Sequence, residues 1–432
     1  MKKKREQQDI SFLGRFVLFF RSVSEKIRGM RFVERLVSSR KAQVGYEGES
    51  SPREAKLALG FDMARLCSVT VLCVLLAIVL LFGGSIISYE NVYYMFKDIG
   101  YISSFSESRP SILSYSEPVS NQSFSSFKNG LAVVSDSEIK FFTSTGRATL
   151  TQGSSYTNPK IVCSDASALV YDQGRHSFSV YNSFISVYSE TLEYPISYAH
   201  MSDDGSFCVV TRSSDYGSVV RIYDNKFRLE SEYFKNDYVI SAELSPNGRF
   251  VAVLSLDASG GESKTTLNVL KRGARELYSS EVIDGEMPYR ARFIANDRIA
   301  LICAESASVY DAAGKRKGLY VYPDTLSHVA FAENGFALIL EDNSVSAGSL
   351  LTVFDRNGNL KFAEKLDSGA FDVALFGDHA YVLCGNALLK INTIFGGVTT
   401  RAFSAENAGI LAMENGDVMI CTSTAAYSIS EN

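Results

Sequence analysis

From residue 128 onward the hydrophobic positions fall into runs of five to seven residues, each preceded by a small polar turn. Eight such turns occur: "KNG" (128–130), "SDAS" (164–167), "SDDG" (202–205), "SPNG" (245–248), "AND" (295–297), "ENG" (333–335), "FGD" (376–378) and "ENG" (414–416). The runs that follow are "LAVVS", "ALVYD", "FCVVT", "FVAVLSL", "RIALIC", "FALIL", "HAYVLC" and "DVMICTS". Short apolar runs bounded by Gly, Asn and Asp predict strands, and those turn residues supply the positive φ that tight hairpins need. The 286 residues from Asn129 to Asn415 divide into seven intervals of about 41. A repeat of roughly 40–45 residues with four strands per unit is the signature of a β-propeller blade. The stretch "AELSPNGRFVAVLSLD" (242–257) shows why a set is needed. One hairpin cannot bury "FVAVLSL" alone. A strand covered on both faces can be apolar throughout, so this run packs against the adjacent copies on either side.

A second mark recurs later in each unit, a strand that ends in a turn. Its copies are "IKFFTSTGR" (139–147), "VVRIYDNKFR" (219–228), "LNVLKRGAR" (267–275), "ASVYDAAGK" (307–315), "LTVFDRNGN" (351–359) and "LLKINTIFGG" (388–397). Asp311 and Gly314, and Asp355 and Gly358, share an Asp-x-x-Gly form. This form resembles the turn between third and fourth strands in quinoprotein-like and outer-membrane-assembly propellers. "SPNGR" and "SDDGS" resemble hairpins of WD40-like and TolB-like repeats. These resemblances cover 123–432 and imply architecture, not activity. After "ILAMENGDVMICTSTAAYSIS" the last unit holds only about three strands. Ile112–Tyr115, flanked by Pro110 and Pro118, is the candidate for the missing one. The expectation is an all-β, eight-bladed β-propeller, with seven blades as the alternative if "AND" or "SDAS" is miscounted.

The N-terminal side is patterned differently. From Leu66 to Ser88 no Asp, Glu, Lys or Arg interrupts 23 residues, enough for one transmembrane helix. Tyr89, Tyr93 and Tyr94 follow at interfacial depth. A cleavable signal peptide places its apolar stretch near the N-terminus, whereas here 65 residues come first. Residues 1–65 hold 15 Lys+Arg against 8 Asp+Glu, and the residues beyond the span hold 28 against 40. The positive-inside rule then places the N-terminus in the cytoplasm and the C-terminal domain outside the cell. Phe12, Phe16, Phe19, Val23, Ile27 and Met30 form one face of a basic helix, flanked by Arg15, Lys26 and Arg28. Such a face suits an anionic leaflet or, alternatively, packing on a partner or on "FVERLV". The segment "YEGESSP" (46–52) reads as a linker. Residues 103–126 carry eleven serines in 24 positions and read as a stalk with one strand in it. The divisions are a basic cytoplasmic segment (1–65), a transmembrane helix (66–88), a stalk with closing strand (89–122) and the propeller (123–432). Basic head, span 66–88 and hairpins such as 242–257 together resemble a bacterial membrane-protein family known as a domain of unknown function. That resemblance implies no activity.

Candidate chemistry is sparse. Cys163, Cys208, Cys303, Cys384 and Cys421 sit in strand-like runs, and Cys67 and Cys73 in the span. The five are odd in number and without a CxxC pair, so buried free thiols are expected rather than disulfides or zinc ligands. His176, His200, His328 and His379 are scattered, and His200 and His328 precede turns as satisfied core residues do. No G-x-S-x-G occurs, and "GGESKT" (260–265) lacks the order of a phosphate loop. Asp355, Asn357 and Asn359 imitate the start of a calcium loop, yet Gly358 falls too early and Leu366 stands where Glu should coordinate. No tryptophan is present, unlike the repeated docking tryptophans of quinoprotein propellers or the Asp boxes of sialidases. The acidic ectodomain disfavours nucleic acid. No catalytic, cofactor-binding or metal-binding residue is assigned, and no cofactor is expected. The favoured function is a non-enzymatic binding or scaffold module on a single-span anchor, for a protein or cell-envelope glycan ligand. The alternative is a hydrolase or lyase with its site at the central channel. It would need charged residues clustered on the inner strands, where mostly small and apolar residues are read.

Overall fold

The computed structural model describes residues 68–73, 112–114, 122–143, 146–257, 263–274, 276–341, 348–385, 387–403, 409–413 and 417–429. The chain divides into two units, Met1–Gly84 and Ser85–Asn432. The amphipathic helix expected over Phe12–Met30, the linker and most of the serine-rich stalk lie outside the described residues, as does the span 66–88 apart from 68–73. Residues 68–73 are helical and exposed. Among the described residues no helix is long and apolar enough to cross a membrane.

Among the described residues thirty-two strands form eight four-stranded antiparallel sheets. Blade 1 comprises β2 (Gln122–Phe127), β3 (Gly130–Ser135), β4 (Glu138–Phe142) and β5 (Ala148–Gly153). Six further blades repeat this order: β6–β9, β10–β13, β14–β17, β18–β21, β22–β25 and β26–β29. All eight polar turns of the sequence lie between first and second strands, so neither "AND" nor "SDAS" is a false count. In blade 8 the order is β1-β32-β31-β30. Its outer strand is β1 (Ile112–Ser114), paired with β32 (Ala425–Ile429) through Ile112–Tyr427 and Ser114–Ala425. The ring therefore closes as expected, by a strand from the N-terminal side.

Burial follows position in the blade. Second strands such as β7 (Ala168–Asp172), β11 (Phe207–Thr211) and β19 (Arg298–Cys303) are buried almost throughout. Outer strands such as β21 (Arg316–Val321) and β25 (Leu360–Leu366) alternate with solvent. In β15 (Phe250–Asp257), Val251 and Val253 pack on blade 3, whereas Ala252 and Leu254 pack on blade 5. This two-sided cover explains the unbroken apolar run. Eight apolar clusters result among the described residues, one at each joint between neighbouring blades.

The turns explain the second sequence mark. The Asp355 carboxylate accepts hydrogen bonds from the Asn357 and Asn359 amides at 2.8 and 2.9 Å and from Asn359 Nδ2 at 3.0 Å. It is engaged within its own turn, as are Asp224 and Asp311 in theirs. Blade 3 places Phe227 where blades 5 and 6 have Gly314 and Gly358, and its φ is 63°. Positive φ strains a bulky residue. The Phe227 ring stacks on Tyr188 at 5.6 Å, which offsets that cost.

Cys208, Cys303, Cys384 and Cys421 are buried free thiols on second strands, and half-buried Cys163 is free on inner strand β6. Burial pushes the Cys163 thiol up to about 12 and shifts Cys208 and Cys421 in the same direction.

Candidate functional site

Five consecutive inner strands carry the same irregularity, one extra residue near the start. These strands are β10 (Ile196–Met201), β14 (Tyr238–Leu244), β18 (Pro288–Ala295), β22 (Thr325–Ala332) and β26 (Ala370–Phe376). Their bulges fall at Ser197, Ile240, Tyr289, Ser327 and Phe371. A bulge re-aims the side chains beyond it. One residue past the bulge stand Tyr198, Ser241, Arg290, His328 and Asp372. Three past it stand His200, Glu243 and Arg292 in blades 3, 4 and 5. The expectation of mostly small and apolar inner strands is thus corrected over these blades. Single strands show these residues as isolated polar positions, and only the ring brings them together.

Glu243 is fully buried at the centre of the group. Its Oε1 accepts from the Tyr198 hydroxyl at 2.6 Å and from Arg290 Nε at 3.1 Å. Arg290 Nη2 also reaches the Tyr198 hydroxyl at 3.1 Å, across the whole of blade 4. Such a span from blade 5 to blade 3 is possible only near the axis, where inner strands converge. Glu243 Oε2 faces His200 Nε2 at 3.5 Å and Arg292 Nε at 3.9 Å and accepts no hydrogen bond among the described residues. Arg290 and Arg292 both lie over the Phe331 ring, at 5.7 and 5.6 Å.

The protonation states follow. Burial alone would raise the Glu243 pKa, but the facing imidazole and the two guanidinium groups hold it at about 2. Burial pushes His200 down to about 4, with both arginines acting in the same direction and Glu243 against them. At neutral pH the imidazole is therefore uncharged, and the arginines hold the carboxylate ionised. The Leu244 amide donates to His200 Nδ1 at 3.2 Å, so Nε2 carries the proton. Carboxylate and imidazole are each engaged, and neither is poised to exchange a proton near pH 7.

Both groups take up protons less readily in the folded protein than in the unfolded chain. Stability therefore falls as pH drops from 6.5 towards 2. The substitution His200→Asn keeps an acceptor for the Leu244 amide and removes the upper part of that window. The loss of stability between pH 6.5 and 4.5 is expected to shrink by about 2 kcal/mol relative to the parent, read from denaturant unfolding at each pH. An unchanged slope would refute the buried neutral imidazole.

His328 stands in the bulge-aligned set, where its charge acts on Asp372, whereas His176 and His379 lie elsewhere. His176 Nδ1 bonds the Leu192 carbonyl at 3.0 Å, and His379 lies beside Asn392. On β26, burial raises the Asp372 pKa, and its Oδ2 accepts from the Ile410 amide at 2.9 Å, strapping blade 7 to blade 8. Among the described residues no group of three or more His, Cys, Asp or Glu could hold a metal ion.

The two faces of the ring differ. One carries the hairpins between first and second and between third and fourth strands. Strand β1 begins on this turn face, because it runs antiparallel to β32. The other carries the crossovers between blades, and the bulges lie beside it. Tyr289 and Phe371, both bulge residues, are 61% and 52% exposed there. Tyr216, Phe234, Tyr238 and Met287 are exposed on the same face, with Tyr216 and Phe234 paired at 4.9 Å.

A family model described as "Family of unknown function (DUF5711)" matches residues 107–429. In structure the chain is similar to BamB from Moraxella catarrhalis, with a TM-score of 0.52, 11% identity, and 75% of this chain and 98% of that one covered. It is similar also to Sqt1 from Saccharomyces cerevisiae, with a TM-score of 0.56, 10% identity, and 75% and 100% covered. At such identities the likeness is one of fold. No curated protein matches the chain in sequence.

Proposed function

The chain belongs to DUF5711, a family of unknown function, and from that premise we propose that its propeller is a non-enzymatic binding or scaffold module for a protein ligand. The observation that carries this reading is the exposed aromatic surface of the crossover face. Large exposed apolar side chains on a rigid scaffold suit protein contact. Tyr289 and Phe371 stand on bulges of strands that are themselves locked into the ring. In this proposal residues 66–88 anchor the chain in the cell membrane, with the N-terminus in the cytoplasm and the propeller outside. A cell-envelope glycan is the second ligand class that such a placement allows.

The axial group of Glu243, Arg290, Arg292 and His200 is the kind of cluster that the alternative, a hydrolase or lyase at the channel, requires. The favoured reading takes it as a structural knot, because its carboxylate and imidazole are already occupied.

The test uses the full chain in intact cells. A photo-crosslinking residue at position 289 is expected to capture a discrete partner, whereas one at Phe395, 86% exposed on the turn face, is not. Equal labelling at both positions would overturn the assignment of the face. External protease is expected to digest the propeller and spare a tag at Met1, and protection of the propeller would overturn the orientation.

A further inference from the structure

We infer that the cleft between blades 4 and 5 receives a lysine or arginine side chain carried on an apolar segment of the protein partner. The inference rests on the binding-module reading and says which chemistry that partner must present. The cleft holds about 500 Å³. Ligand sites commonly fall between about 300 and 1,000 Å³, so this one accommodates several side chains. One wall carries Val282 and Ile283 of β17 (Leu277–Asp284), and the other Leu301, Leu319 and Val321, while Glu281 and Arg316 face each other's strands nearer the turn face. Val282 and Val321 are 47% and 65% exposed at the rim, beside Met287 of the crossover face.

At the crossover end sits the carboxylate of Glu286. Thr265 Oγ1 donates to the Glu286 carbonyl at 2.6 Å and fixes the connection. Ser306 Oγ donates to Oε1 at 2.8 Å. Oε2 is buried and accepts from no hydroxyl or N–H group among the described residues. Buried polar atoms in native proteins almost always find a partner. The polar groups beside Glu286 at this end are neutral. The Cys303 thiol is pushed up to about 12, first by burial and then by the charge of Glu286 and a hydrogen bond to it, so it stays a neutral, weak donor. The Tyr322 hydroxyl is directed to the Ser306 carbonyl at 2.7 Å. No Lys or Arg forms an ion pair with Glu286 among the described residues. A carboxylate with only neutral donors and no paired cation, at the crossover end of a partly aliphatic cleft, is complementary to a cationic head on an apolar stem. Lysine and arginine side chains have that form.

The experiment displays random 12-residue peptides on phage to the purified full chain in detergent. Recovered peptides are expected to share a Lys or Arg among apolar residues. A synthetic member should bind at least tenfold more weakly to Glu286→Gln, and as weakly when its own lysine becomes methionine, a change that leaves the protein untouched. Val321→Asp should abolish binding, and Phe395→Ala should leave it unchanged. Peptides without a basic residue, or bound equally by Glu286→Gln, would overturn the inference. If those peptides lose binding on Tyr289→Ala, the crossover face still binds protein and only the cleft is wrongly assigned. Recovery of no peptide overturns the cleft as a peptide receptor, whatever the crosslinking at position 289 shows.

Discussion

Replacing Glu243 with alanine is expected to destabilise the propeller by roughly 3 kcal/mol, because it leaves the half-buried Arg290 guanidinium without its partner. Arg290 pairs with Glu243 and with the Tyr198 hydroxyl among the described residues, and it sits against blades 3 to 5. Removing the carboxylate strands the Arg290 guanidinium and takes away the acceptor of the Tyr198 hydroxyl. The comparison that separates charge from packing is the double change Glu243→Leu with Arg290→Met. Replacing both members of a buried pair with apolar groups is often neutral, so this variant should recover most of the loss. Melting temperatures should drop by about 5–10 °C for Glu243→Ala and by much less for the double variant. A double variant as unstable as the single one would show that the pair is not the source of the effect. A Glu243→Ala protein of parental stability would show that the axial knot is not structural, and the enzymatic alternative would then gain.

Opening the ring at blade 8 should have the second large effect. Leu113 is 5% exposed and packs with Leu131 and Val133 of blade 1 and with Met419, Cys421 and Ala426 of blade 8. Its neighbour Ser114 is exposed on the same short strand. The substitution Leu113→Asp buries a carboxylate in that cluster and should cost several kcal/mol. Ser114→Asp, one residue away, should cost about 0.5 kcal/mol or less. Deleting residues 112–114 from the full chain removes the outer strand and bares the edge of β32, an invitation to aggregation. Unfolding should then lose its single cooperative step and solubility should fall. Equal melting and equal solubility for the deleted and parental chains would refute closure by β1.

The sequence by itself determined the architecture. Each polar turn and the apolar run behind it are local features, and a strand covered on both faces needs only a continuous apolar run to announce itself. "FVAVLSL" is such a run, and its alternate residues do serve two different joints. The missing strand was legible by counting, since blade 8 stops after β32 and Ile112–Ser114 is apolar between two prolines. The free thiols were legible from their places in those same runs. Only the tertiary structure decided the axial group and the cleft. Tyr198, Glu243 and Arg290 meet although 45 and 47 residues separate successive members, on strands of three different blades. Along the chain each is one polar residue in an apolar strand. The bulges that align them arise from pairing between strands and have no fixed residue type, since Ser197, Ile240, Tyr289, Ser327 and Phe371 all occupy the position. Glu286 likewise reads as an ordinary loop acid, and its carboxylate is enclosed only because Cys303 and Ser306 of blade 5 fold over it. Periodicity reports how one strand is covered, whereas a charged pair depends on which strands converge, and that is settled by closing the ring.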